Sequence, residues 1–469
     1  MTNSATQLPG WLDRATFTDL VRVASRPDLP ELRHQIERTG GCAQPIHIAG
    51  WRHVYDRASG RIIKPLSYST MRQPGGRLRL ACGNRRASRC PSCAYTYAGD
   101  TYHLMMSGLR GGKGIPYAVG EHPRVFATLT APSFGPVHNR PDRRCCRCGA
   151  AHGEDDPLLG TPLDPAGYDY AGAVLWNNHA GALWQRFTIY LRRELAKRAG
   201  VAQRDLKGHC RVAFAKVAEF QRRGAVHFHA VIRLDGPDGA GDAPPSWAST
   251  ELLDDAIRAA AARVTLPVPA SGEHMARTLG WGKQVDVQPI GGTALAGEDL
   301  DDGAVASYVA KYATKAAETT QTVDRRIAER SDVDKLTGLP AHTRRLIEAC
   351  WDLDAAYPDR LLAHWSHMLG FRGHFSTKAR TYGTTLGALR QVRADFRARQ
   401  DRQEHGQEGG TEGATYVVSH WRFAGVGHTP GESLIAAQVA SDKRTNRETA
   451  RQELPMLLAQ EGEDSWIDF

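Results

Sequence analysis

The sequence contains no unbroken run of about eighteen apolar residues, the length a helix needs to cross a bilayer, so a membrane-spanning protein is not expected. Its opening stretch, MTNSATQLPGWLDRATF, lacks the charged, apolar and small-residue order of a secretory leader. The expected location is therefore the cytoplasm. No internal repeat is visible, which sets repeat architectures aside. Acidic residues are missing from a long stretch: residues 61–90 carry eight Lys or Arg and no Asp or Glu. Residues 371–400 come close, with seven Lys or Arg against one Asp, whereas residues 401–469 hold twelve acidic and six basic residues. With a formal net charge of +9, this distribution favours a polyanionic partner. Charge alone does not separate DNA from RNA or from an acidic protein.

What is present suffices for a folded protein. At 469 residues and 41% hydrophobic content the chain can bury a full core, and its length suggests two to four domains. Nine cysteines are bunched rather than scattered, and in a reducing compartment metal ligation explains them better than disulfides. Cys90 and Cys93 form a CxxC knuckle with Cys82 just upstream, and Cys42 or His103 is available as fourth ligand of a structural Zn²⁺, Cys42 being preferred. Cys145, Cys148 and His152 form a second set, with Cys146 or His138 as the fourth ligand. Both sites read as structural, because protein ligands fill every position. Cys210 and Cys350 read as ordinary buried residues.

Periodicity places the elements. Residues up to about 115 are rich in Gly, Arg and Cys without a long helical period, and RVFATLT from Arg124 reads as a strand. A polar insertion spans 139–168, and Leu183, Trp184, Phe187, Leu191 and Leu195 then mark an amphipathic helix ending before Gly200. CRVAFAKVAEF and AVHFHAVIRL are joined by QRRG, which predicts a β-hairpin with Gly224 in its turn. A helix, the short strand KQVDVQPI and a helix over about 305–317 follow. The order β-α-β-β-α-β-α predicts an α+β protein with a split β-α-β core, ferredoxin- or RRM-like, whose antiparallel sheet is covered by helices on one face. The rest is expected to be mainly helical up to about Gln400, with RLLAHWSHMLGFRGHF at its centre. The predicted division is a zinc-binding module over 1–118, a domain over 119–320 that holds this core and a basic helical domain over 321–400. A linker over 401–415 and a small module with an acidic tail over 416–469 complete it.

Two constellations carry chemistry. In HFHAVIRL the strand period puts His227 and His229 on one face and Phe228 on the other. The hairpin turn folds Glu219 back toward His227, completing a two-imidazole, one-carboxylate set suited to Mg²⁺ or Mn²⁺ engaged with a phosphate. In SYVAKYATK, Tyr308 and Tyr312 stand at i and i+4 on one helix face with Lys311 and Lys315 nearby. A free phenol titrates near ~10, so a nucleophilic tyrosine needs an adjacent cation, which the lysines or the metal would supply.

FATLT, GAVHFHAVIRL and YVAKYATK, in that order on strand, strand and helix, resemble the three motifs of the HUH endonucleases. The tyrosine pair resembles that of the two-tyrosine rolling-circle initiators of small single-stranded DNA phages. Over nearly the whole chain, including GNRRASRCPSCAYTYAGDTYHL, LGTPLDPAGYDYAGAVLWN and HMLGFRGHFSTKARTYGTTLGALR, the sequence is similar to replication initiators of actinomycete plasmids and integrative conjugative elements. The resemblance implies nicking of a single-stranded origin site, a covalent 5′-phosphotyrosine and a free 3′-OH that primes synthesis. Single-stranded and duplex origin DNA are then the expected partners, with a host helicase and polymerase as possible ones. Arg85, Arg86, Arg89, Arg372, Lys378 and Arg380, from the two basic stretches, are candidate DNA contacts. A related transposase or relaxase is one alternative, although His-x-His before Tyr argues against a relaxase. A non-catalytic zinc-containing DNA-binding regulator is the other.

Overall fold

The computed structural model describes residues 13–63, 67–140, 145–291, 301–314, 323, 325–404 and 415–460. The chain divides into two units, Met1–Tyr97 with Arg393–Phe469, and Ala98–Val392. In the first unit, α1 (Arg14–Ala24) starts where the Asp13 carboxylate accepts the Thr16 amide at 2.8 Å. Next, α2 (Leu29–Arg38) opens with Pro30 and buries Leu32 and Ile36. β1 (Ile46–Asp56) pairs with the short strands β2 (Tyr68–Ser69) and β3 (Leu78–Leu80), and the unit boundary falls inside α3 (Pro91–Arg110).

The second unit runs β4 (Arg124–Leu129), α4 (Tyr170–Ala199), β5 (Arg211–Phe220), β6 (Val226–Asp235) and α5 (Thr250–Arg263). The hairpin β7 (Thr265–Val268) and β8 (Arg277–Gly280), then β9 (Val285–Pro289) and α6 (Asp302–Ala313), follow. This is the β-α-β-β-α-β-α order read from periodicity, with the β7–β8 hairpin added. Five strands form an antiparallel sheet in the order β10-β5-β6-β4-β9, in which β10 (Ser376–Lys378) comes from the far end of the unit. Strand alternation sorts the faces. Phe228, Ala230, Ile232 and Leu234 of β6 enter one core with Val125, Ala127 and Leu129 of β4. Trp176, Phe187 and Leu191 of α4 and Ile257 of α5 cover them, each large apolar side chain contributing about 1.5–3 kcal/mol. The intervening residues, His227 and His229 among them, lie on the opposite face, where α6 sits.

The region after residue 320 departs from the sequence reading. The short α7 (Ser331–Asp334) and α8 (Ala341–Asp354) belong to the second unit, with Leu346, Ile347, Cys350 and Leu353 buried in the same core as α4. Among the described residues of 321–400 no separate helical domain forms, because α8 has its apolar stripe filled by that core. RLLAHWSHMLGFRGHF is not helical beyond short 3-10 turns at Pro358–Arg360 and Ser366–Met368, and Leu361 (φ 55°) and Leu369 (φ 51°) are left-handed, which breaks the helical path. α9 (Leu386–Glu404) contains the second boundary.

The described residues of the C-terminal segment likewise belong to the first unit. β11 (Thr415–Val426) pairs antiparallel with β1 from Ile46↔Val426 to Asp56↔Thr415, and α10 (Pro430–Gln460) packs Ala436 and Val439 against Val23, Leu32 and Ile36. Most of the expected linker and the end of the acidic tail lie outside the described residues. A buried ion pair ties the two ends together: Glu432, in the first turn of α10, takes the Arg79 guanidinium at 2.7 Å, the side chains being only 5% and 3% exposed. Burial pushes the Glu432 carboxyl up, but the His428 hydrogen bond and the Arg79 charge outweigh it and hold it at about 2. Its contribution to stability is therefore complete above the ordinary value of 4.5 and disappears as pH falls toward about 2. Glu432→Ala should cost about 3–5 kcal/mol in denaturant unfolding, since it strands a buried guanidinium; a loss below about 1 kcal/mol would contradict this.

Candidate active site and metal clusters

The β5–β6 hairpin builds the site. Its turn closes through Gly224 (φ 77°), a left-handed position that favours glycine, and sets Glu219 opposite His227 and Val217 opposite His229. Glu219 Oε2 lies 3.1 Å from both His227 Nε2 and His229 Nε2, and the two Nε2 atoms are 3.1 Å apart. An ion about 2.1 Å from each donor sets neighbouring octahedral donors about 3.0 Å apart, so these three atoms fit one face of a divalent coordination shell. Thr128 Oγ1 engages His229 Nδ1 at 3.0 Å, which leaves Nε2 to face the site, and Phe126 stacks on the same ring at 5.6 Å and 2°.

The tyrosines come from α6. Its described span is Asp302–Ala313, one turn earlier than periodicity suggests, because Asp301 caps the Gly303 amide at 2.9 Å. Asp302 is buried and accepts Arg110 Nε at 2.8 Å and Arg124 at 3.4 Å, which anchors the start of the helix to α3 and β4. Val305, Ala306, Val309 and Ala310 pack inward, and Tyr308 is turned toward the triad. The Tyr308 hydroxyl is 3.0 Å from His229 Nε2 and 3.5 Å from Glu219 Oε2. The Tyr312 ring lies 4.5 Å from that of Tyr308 and 6.1 Å from that of His229. Lys311 Nζ stands 5.7 Å from the Tyr312 ring centre, at cation–π distance, and Lys315 lies outside the described residues.

The Glu219 carboxylate dominates the electrostatics of the site. Burial raises the Glu219 carboxyl, but hydrogen bonds from His227 and His229 outweigh it and hold the group at about 2. Burial first, then the Glu219 carboxylate, pushes the Tyr308 and Tyr312 phenols up. Burial also lowers His229.

Both cysteine clusters form, one of them with a different member. In the first unit Cys42, Cys82, Cys90 and Cys93 converge, with sulfur separations of 3.6 Å (Cys82–Cys93), 3.7 Å (Cys42–Cys93) and 3.8 Å (Cys42–Cys90). Tetrahedral zinc with bonds of about 2.3 Å sets sulfurs about 3.8 Å apart. Amides of Ala43 and Cys82 donate to the Cys90 and Cys42 sulfurs at 3.3 Å, and His103 is not part of the cluster. In the second unit the group is His138, Cys146, Cys148 and His152, so both candidate fourth ligands are used and Cys145 is not. Cys146 is buried and opens a turn in which the Gly149 amide donates to its carbonyl at 2.8 Å, whereas Cys145 is exposed. His152 Nε2 is 3.2 Å from both His138 Nδ1 and Cys148 Sγ, while its Nδ1 is held by Asp156 at 2.7 Å.

A family model described as "RepSA: Replication initiator protein, pSAM2" matches residues 28–441. The chain belongs to this replication initiator family. It is 58% identical over 455 residues to a "Replication initiator protein" of Streptomyces ambofaciens, across 96% of this chain and 98% of the relative. No solved structure matches. The family match takes in both cysteine clusters, the triad and both tyrosines of this initiator.

The candidate DNA contacts of the initiator differ in exposure. Arg85, Arg86 and Arg89 are half-buried in the loop between Cys82 and Cys90, and Arg372 and Arg380 are exposed. Lys378 is not a free cation, since its ammonium donates to the carbonyls of Gly383 at 2.9 Å and Ala379 at 3.3 Å. Sequence reasoning misses Thr128, Phe126, Asp156 and the Asp302–Arg110–Arg124 cluster. An alternating β4 could have flagged Thr128 and Phe126 as facing the histidines; no local signal marks the others.

Proposed function

We propose that this initiator nicks a specific single-stranded site of its origin through a covalent 5′-phosphotyrosine and so starts rolling-circle replication of a plasmid or integrative element. The observation that carries the reading is the Tyr308 hydroxyl 3.0 Å from a His229 nitrogen of the Glu219–His227–His229 set. Mg²⁺ or Mn²⁺ on those three residues would polarise the scissile phosphate and favour phenolate. The Tyr308 oxygen attacks phosphorus in line as its proton leaves to solvent. The P–O3′ bond breaks, and the departing 3′ oxygen takes up a proton to become the primer 3′-OH. Tyr312, on the same helix face, serves a second cleavage and strand joining. Glu219, His227 and His229 orient the phosphate, and Phe126 and Thr128 hold His229 in place. The two cysteine-containing clusters hold structural Zn²⁺, and origin DNA, single-stranded and duplex, is the partner, with a helicase and polymerase recruited afterwards.

Labelled single strands from the replicon that carries the gene test this. With Mg²⁺ or Mn²⁺, a 3′ label should become protein-linked while a 5′ label is released on a fragment ending in 3′-OH, and chelation should stop both. A protein-linked 5′ label, or no adduct, would refute the proposal; the latter would favour the non-catalytic regulator. Thr128→Val should raise the Mn²⁺ concentration for half-maximal nicking by about 10–100-fold, as for other partners of ligand imidazoles. An unchanged requirement would remove Thr128 from the site.

A further inference from the structure

A groove of about 1000 Å³ in the second unit has no acidic side chain in its described lining. Four exposed cations stand on its walls: Arg140 and Arg147 from the Cys/His insertion, Arg222 from the β5–β6 turn, and Lys283 from the loop before β9. Beneath them Arg223 donates to the carbonyls of Pro132 at 2.8 Å and Ala131 at 2.9 Å, fixing the floor. The sheet register locates this groove relative to the triad. Thr128 lies opposite His229 on one side and Asp286 on the other. Just past the last paired residues of β4 and β9, Thr130 and Gln284 line the groove, at the end of the sheet where Glu219 pairs with His227.

We infer that this groove holds the single strand on one side of the scissile phosphate, and that the Cys/His insertion forms one of its walls; the inference rests on the proposed nicking reaction. Cations spaced around a recess suit a phosphate backbone. Trp281, also in the lining, is held edge-on by Trp176 at 5.6 Å and by Phe228 at 5.7 Å, a fixed ring on which an unpaired base can stack and a duplex cannot. His138 belongs both to the Cys/His cluster and to the lining, so metal binding in the cluster would set the positions of Arg140 and Arg147.

The test uses the full chain without added divalent ion and a fluorescent oligothymidylate of roughly twenty nucleotides. R140A/R147A/R222A/K283A should weaken binding at least about tenfold and flatten the salt dependence by about 0.7 per cation removed. K197A/R204A/K207A/R211A, an equal charge change at exposed positions elsewhere in the unit, should leave affinity within about twofold. R140A/R147A alone should account for part of the loss, and no effect would exclude the insertion as a wall. Equal losses in both quadruple variants, or none in the first, would overturn the groove. With Mn²⁺ and saturating DNA the groove variant should still form adduct, since its triad and tyrosines are intact. A wild-type protein that forms no adduct would instead sink the nicking reading, so the two failures are distinguishable.

Discussion

Replacing His227 and His229 together with alanine should abolish nicking while leaving the protein folded and able to bind single-stranded DNA. The two imidazoles lie on the sheet face opposite the main core, where Phe228 and its neighbours carry the packing, so their removal opens no cavity among the core side chains. Glu219 then stands as a lone carboxylate, too few donors to hold a divalent ion that keeps its waters tightly. Loss of that electrostatic help is worth several kcal/mol, about 10³-fold or more in rate. DNA affinity, set by phosphate contacts elsewhere, should change little. Nicking within about tenfold of wild type would remove the triad from the chemistry.

Stripping zinc should have the largest effect on stability. The four cysteines of the first unit come from the loop between α2 and β1, the loop after β3 and the start of α3, and no disulfide ties them. Structural zinc contributes about 10–16 kcal/mol of apparent binding energy in small domains, more than most domains have in reserve. Cys90→Ala with Cys93→Ala should therefore unfold the first unit, and purified wild-type protein should carry about two zinc ions per chain, one for each cluster. The second cluster closes only an insertion, so Cys148→Ala should loosen residues around it without a global loss. Metal analysis and a thermal melt in strong chelator check both; zinc-free protein melting normally would refute the assignment.

The convergence of Glu219, His227, His229 and the two tyrosines was legible because each part is local. A two-residue period put both histidines on one face, the QRRG turn brought Glu219 back onto His227, and i, i+4 spacing aligned the phenols. The first cysteine cluster could be read from its CxxC anchor, but choosing between Cys145 and Cys146 depends on which way each side chain leaves the chain. Long-range closure was not legible: nothing in YVVSHWRF names β1, hundreds of residues upstream, as its partner strand. The apolar spacing of RLLAHWSHMLGF mimics a helix, yet Leu361 and Leu369 take left-handed backbone and the segment turns back to deliver β10 to the sheet. Lys378 looked like a phosphate ligand by composition, and only the fold reveals that backbone carbonyls occupy its ammonium.

Which residue bonds to DNA is the most direct question. The Tyr308 hydroxyl is hydrogen-bonded to a triad nitrogen, so Tyr308→Phe should remove most first-strand cleavage. Tyr312→Phe should keep that cleavage but lose strand joining, and the double variant should form no adduct. Peptide mapping of the adduct trapped on a single-stranded origin fragment by mass spectrometry decides the matter. The predicted result is a peptide carrying the DNA remnant on Tyr308, with a minor fraction on Tyr312; a DNA-linked peptide that contains neither tyrosine would contradict the mechanism.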